Sequence, residues 1–157
     1  MNRKIEKYLP ASLNVLSALA VFILSFLMRY QFPLDIRTAK IAGLVLVYTG
    51  MALAAWATFY IKGAVFGMVE ETRGILVKNG PYRLVRHPVY LALTVAILGI
   101  PVSLGSWPGL VAVFLLFLPT EIYRAKLEDK ALALKFGKEW EEYAGKTRFM
   151  LPFLGKR

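Results

Sequence analysis

The chain contains no cysteine, which excludes a disulfide framework, a thiolate nucleophile and any cysteine-based zinc site. It has a single histidine, where a histidine-based metal centre takes several, so no metal is expected. No Gly-x-Gly occurs anywhere, so the phosphate-binding fingerprint of soluble dinucleotide folds is missing. Acidic residues are scarce, 10 against 20 Lys and Arg, leaving a net charge of +10. Charge of either sign is absent from three stretches: Ala11 to Met28, Ile41 to Ile61 and Val89 to Thr120. Those runs, in a chain that is 57% hydrophobic, assign the positive charge to an anionic membrane surface and not to nucleic acid.

A membrane-crossing helix needs about 20 residues, and the first two runs fit one each. The third would make a single helix of roughly 48 Å at 1.5 Å per residue, too long for the hydrocarbon layer. Its middle reads Gly-Ser-Trp-Pro-Gly, residues 105 to 109, which is turn chemistry. The expected architecture is therefore all-α and polytopic, a single domain over 1–157. Its four spans lie at about 11–29, 40–61, 89–104 and 107–122, the last two forming a hairpin. A loop at 70–90 and a helical tail at 123–157 remain outside. Four spans put 17 Lys and Arg on one side and 3 on the other. The positive-inside rule then makes this a multi-pass protein with both termini and the tail in the cytoplasm. The N-terminal apolar run is long and followed by others, so it reads as a retained first helix and not a cleaved signal.

What polar chemistry there is gathers in that loop and tail. In Arg-His-Pro-Val-Tyr, residues 86 to 90, Pro88 suits the first position of a helix and disfavours helical geometry at His87. The third span then starts at Pro88, with its free N–H groups facing the cytoplasmic interface, where an anionic group is favoured. Arg83 and Arg86 alone would be explained as headgroup anchors. In the tail, Arg124 and Glu128 stand four apart on one helical face, which by itself suggests only a surface ion pair. Leu127, Ala131, Leu132 and Leu134, interleaved with lysines, suggest a helix running from the membrane into the interface and ending near Gly137. Trp140, Tyr143 and Phe149 read as interfacial aromatics.

LVKNGPYRLVRHPVYLA, followed about forty residues later by EDKALALKFGKEWEEYAGKTRFMLPF, resembles the isoprenylcysteine carboxyl methyltransferase and phospholipid methyltransferase superfamily. The likeness covers Gly74 to Phe153. The ordered set of motifs around a hairpin carries it, not His-Pro-x-Tyr alone. Two positions depart from the family pattern: its Glu-Glu pair is Glu128-Asp129 here, and Trp140 replaces the first aromatic of its Tyr-x-x-Tyr-like stretch. The resemblance implies an integral-membrane enzyme using S-adenosyl-L-methionine and releasing S-adenosyl-L-homocysteine. Gly74, Ile75, Leu76 and Val77 would line the cofactor pocket. Tyr82, His87, Pro88, Val89 and Tyr90 would contact the cofactor, Glu128 would bind its polar end, and Arg124 would face the acceptor.

The residue types suit that ligand independently of the family. Aromatics stack an adenine, Glu128 pairs an ammonium, and a helix N-terminus with His87 meets a carboxylate. The expected partners are the lipid bilayer and a lipophilic or prenylated acceptor. That acceptor is a prenylcysteine-like carboxylate, which needs no base, or alternatively a phospholipid amine such as phosphatidylethanolamine, which must first lose a proton. Two other classes compete. Membrane sterol reductases share a similar tail but are much longer. A transporter subunit would carry an ionisable residue within a span.

Overall fold

The computed structural model describes residues 3–61 and 76–151, with side chains from Leu9 onward. Every element among the described residues is helical: α1 (Arg3–Leu27), α2 (Ile36–Ile61), a 3₁₀ turn (Gly80–Arg83), α3 (Pro88–Leu104), α4 (Trp107–Ala112), a π-helical turn (Val113–Phe117), α5 (Leu118–Phe136) and α6 (Lys138–Lys146). The segments Leu9–Leu27 and Ile36–Ile61 are long and apolar enough to cross a membrane. At 17 residues, α3 is shorter.

The two arms of the expected hairpin turn at Gly105 and Ser106. Gly105 takes φ 61°, a conformation costly for any residue with a Cβ, and closes α3 as the N–H of Ser106 reaches Pro101 O at 2.9 Å. Ser106 then caps α4 by accepting from the N–H of Gly109 at 3.2 Å. The second arm runs on beyond the expected span end at 122, as the lysine-interleaved leucines suggested, from Trp107 to Phe136, about 45 Å at 1.5 Å per residue, until Gly137 ends it at φ 51°. The π turn within it has an identifiable cause. Pro119 has no N–H to offer the preceding turn and its ring crowds that turn's carbonyl. The backbone widens just before it, and the Leu118 N–H reaches back five residues to Val113 O.

α2 and α3 touch backbone to backbone. A Cβ on Gly43 would collide with the Ser103 backbone, and one on Gly50 with that of Ala96. Small residues allow this approach, as is usual where helices associate without a hydrophobic drive from water. α1 packs instead on α3, α4 and α5, with Val21 against Ala112, Val113 and Phe117. The outward faces carry Leu16, Phe22, Tyr48, Phe59 and Leu115, each more than half exposed. A surface this apolar matches a lipid solvent and not water. The α1–α2 loop is tied to the α3–α4 turn, with the Tyr30 N–H donating to Leu104 O at 2.7 Å and the Gln31 N–H to Gly105 O at 2.8 Å. His87 opens α3 at the opposite end of the bundle.

Candidate active site

At that opposite end the tail folds back onto the segment before α3. The N–H of Arg86 donates to Arg148 O at 2.8 Å and that of His87 to Phe149 O at 3.2 Å, forming a one-residue parallel bridge between Val85 and Arg148. α6 is clamped to the same segment: the Tyr143 hydroxyl donates to Tyr82 O at 2.7 Å and Arg86 Nη1 to Ala144 O at 2.9 Å. The Arg86 guanidinium lies against the rings of Trp140 and Phe149. Trp140 and Tyr143, expected at the lipid interface, are instead buried at 5% and 6% exposure, because they pack α6 over this segment.

His87 is the hub. It occupies the N-cap position of α3 with Pro88 next, and its side chain is 1% exposed. Nε2 lies 2.6 Å from Asp129 Oδ1, and Nδ1 lies 3.6 Å from Glu128 Oε2. Asp129 Oδ2 is 3.7 Å from Arg86 Nε. Burial alone would depress the histidine's pKa, but hydrogen bonding to Asp129 and Glu128 and their charges outweigh it, so the pKa is raised. His87 thus ties the start of α3 to α5. With Asp129 at one ring nitrogen and Glu128 near the other, His87 is placed to orient Glu128. Asp129, which stood out only as a departure from the family pattern, makes the shortest contact in the cluster.

Arg124 and Glu128 do not pair with each other. Glu128 turns to His87, whereas the Arg124 guanidinium sits 5.4 Å over the Tyr90 ring and makes no hydrogen bond or ion pair with any described residue. Tyr90 also packs against the His87 ring at 5.6 Å. The Tyr82 hydroxyl is buried and has no partner among the described residues. Burial, reinforced by the Glu128 carboxylate and Tyr143, pushes its pKa up, so it keeps its proton and stands as an unused donor. Pro88 is buried, and Leu76, Val77 and Val89 are half-buried. Gly74 and Ile75 lie outside the described residues.

Sequence reasoning missed a further group. Glu121, fully buried, accepts from Asn14 Nδ2 of α1 at 2.6 Å, while its Oε2 has no partner among the described residues. Beside it the hydroxyls of Ser17 and Thr120 share a hydrogen bond of 3.1 Å. The signal available was a polar Asn14 within an otherwise uncharged run. Residues 121, 124, 125 and 128 share one face of α5, so Glu121, Arg124 and Glu128 form a stripe of alternating charge.

The phospholipid methyltransferase family model matches residues 38–139. A cobalt-zinc-cadmium resistance protein of Cupriavidus metallidurans is 35% identical over 71% of this chain and 50% of its own length. A probable protein-S-isoprenylcysteine O-methyltransferase of Oryza sativa is 31% identical over 71% of this chain and 60% of its own. A methanethiol S-methyltransferase of Bradyrhizobium diazoefficiens is 29% identical over 74% of this chain and 41% of its own. The chain thus spans about half the length of the curated relatives it matches. The matched region runs from α2 through α5 and takes in His87, Tyr90, Arg124 and Glu128; with relatives of this kind, the chain belongs to the phospholipid methyltransferase family.

Proposed function

We propose that this protein transfers a methyl group from S-adenosyl-L-methionine to a lipophilic acceptor held in the membrane, and that the acceptor atom is the carboxylate oxygen of an isoprenylcysteine-like molecule. The observation that carries the acceptor assignment is the uncommitted Arg124 guanidinium over Tyr90, one helical turn from the Glu128–His87 pair. A planar fork without a protein carboxylate suits bidentate capture of a ligand carboxylate.

The residues fit the cofactor. The buried Tyr82 hydroxyl lacks an acceptor among the described residues, and Glu128, its side chain 32% exposed and oriented by His87, presents a carboxylate that suits an ammonium. Leu76, Val77, Pro88, Val89 and Tyr90 supply apolar and aromatic walls. S-adenosyl-L-methionine, when bound, supplies an electrophilic methyl on a sulfonium and leaves as S-adenosyl-L-homocysteine. Arg124 aligns the acceptor, Tyr90 and Phe149 exclude water beside it, and a carboxylate nucleophile asks no side chain for a base. Its reaction with a sulfonium destroys charge, which a low-dielectric setting favours.

In this reading the chain is one domain with four spans, and both termini face the cytoplasm. Support comes from the 17-to-3 partition of Lys and Arg, and from the tie between the α1–α2 loop and the α3–α4 turn at the end away from His87. Calorimetric titration of the purified protein in nanodiscs tests the cofactor assignment. Saturable binding of S-adenosyl-L-methionine and its demethylated product is expected, and no heat at millimolar cofactor from a folded sample contradicts it.

A further inference from the structure

α5 sorts its charges by face. Its carboxylates turn inward: Glu121 is fully buried, and Glu128 and Asp129 turn to His87. Tyr123, Lys126, Leu127, Lys130 and Leu134 recur at the i, i+3, i+4, i+7, i+11 spacing of one helical face, and that face carries no acidic residue. Leu127 is half-buried and the other four are exposed. Leu134, at 90%, is the most exposed large hydrophobic among the described residues. The face also prolongs the lipid-facing stripe of the same arm, which runs through exposed Leu115, Leu116 and Pro119. The length of the arm sets the depth of the lysines. Trp107, half exposed and packed on the Phe32 ring at 4.8 Å, stands at the end away from His87, and such a ring settles at the level of the headgroups. At 1.5 Å per residue, Lys126 lies about 28 Å, Lys130 about 35 Å and Leu134 about 40 Å along the arm from it. A bilayer measures about 30 Å across its hydrocarbon and about 40–45 Å with both headgroup layers. Lys130 therefore reaches the far edge of the hydrocarbon, and Lys126, one turn inside, extends its long side chain to the same phosphate level. Leu134 stays within the far headgroup layer.

We infer that this outward face of α5 is a binding surface for anionic phospholipid, with Lys126 and Lys130 holding the headgroup phosphate and Tyr123 and Leu127 lying along the acyl chains. A zwitterionic lipid also brings a phosphate, but its ammonium group meets no carboxylate on this face, so the pair of lysines favours a headgroup with net negative charge. A second copy of the chain packed there would set the same lysines against each other. Arg124, Glu128 and Asp129 lie on other faces of the same helix, so the bound lipid leaves the candidate site open. The surface is assigned from α5 and its length, and it stands whichever acceptor is methylated.

The absence of cysteine makes a site-specific test available. Tyr123→Cys carries a single bimane on the face itself, and Val45→Cys carries one on the outward side of α2, where 58% exposure also predicts lipid contact. Each labelled protein is placed in single-copy nanodiscs with chain-brominated phosphatidylglycerol or chain-brominated phosphatidylcholine, and the quenching reads the relative binding constant of the two lipids. At residue 123 phosphatidylglycerol is expected to win by about fivefold for each lysine near the surface, and 0.5 M salt should shrink that preference. At residue 45 the two lipids should quench alike. Adding Lys126→Gln/Lys130→Gln, both at exposed positions, should bring the ratio at residue 123 to about one, whereas Lys126→Arg/Lys130→Arg should keep it. Equal quenching by both lipids at residue 123 overturns the inference, as does a preference that survives the glutamine pair or appears equally at residue 45. Quenching by neither lipid at residue 123 also overturns it, because protein and not lipid then covers the face.

Discussion

Replacing Asp129 by Asn tests whether the His87 cluster is a charged clasp. In the parent pair His87 is buried and Asp129 partly so, with side-chain exposures of 1% and 23%, and the contact is short at 2.6 Å. A hydrogen bond to a charged group contributes about 1.5–3 kcal/mol against about 0.5–1.5 for a neutral one, so the substitution should cost about 1–2 kcal/mol where the imidazolium is present. For a chain of this size that is a fall of about 2–8 °C in Tm. The pH dependence supplies the sharper criterion. The folded-state pKa of His87 lies above its ordinary 6.5, so folding takes up a proton between the two values. Its stabilisation is fully present below pH 6.5 and is lost as pH rises through the folded value. Thermal unfolding in detergent from pH 5.5 to 9 should therefore show the parent losing stability across that window. Asp129→Asn should lose less, and the two curves should converge at the alkaline end. Parallel curves for parent and variant would refute the charged clasp and return Asp129 to an incidental surface carboxylate.

Glu128→Gln should weaken binding of S-adenosyl-L-methionine by about ten- to a hundredfold, whereas Arg124→Ala should leave it nearly unchanged and lower turnover by a similar factor; calorimetry with single-turnover transfer separates the two effects. Because a side chain on Gly50 meets the Ala96 backbone and not a movable side chain, Gly50→Leu should destabilise the fold by about 3 kcal/mol or more, read from thermal unfolding, while the same change at exposed Met51 should not. Single cysteines at Asp35 and Lys146 should respond oppositely to a membrane-impermeant reagent in intact cells, with only Asp35 labelled.

Much of the helical plan was legible because proline and glycine act locally. Pro88 places the start of α3, Gly105 and Ser106 place the hairpin turn, and Gly137 ends the long arm, each through backbone chemistry confined to a few residues. The lysine-interleaved leucines past Glu121 signalled that the helix runs on into the interface, and α5 does so as far as Phe136. Trp140 and Tyr143 were misplaced because hydropathy cannot tell an aromatic at a lipid surface from one covered by the protein's own tail. Asp129 went unrecognised because its partner lies 42 residues away, and Glu121 because its partner lies 107 away. The resemblance brought His87, Tyr90, Arg124 and Glu128 forward as a set. Their relation, in which Glu128 turns to His87 while Arg124 lies over Tyr90, is a property of packing.

The most direct measurement supplies the purified protein in nanodiscs with methyl-labelled S-adenosyl-L-methionine and offers, separately, an N-acetyl-S-prenylcysteine and phosphatidylethanolamine. The expected result is label in the prenylcysteine, released as volatile methanol by mild alkali because the product is an ester. Alkali-stable label in phosphatidylethanolamine alone, or no transfer to either lipid from a protein that binds the cofactor, would contradict the account.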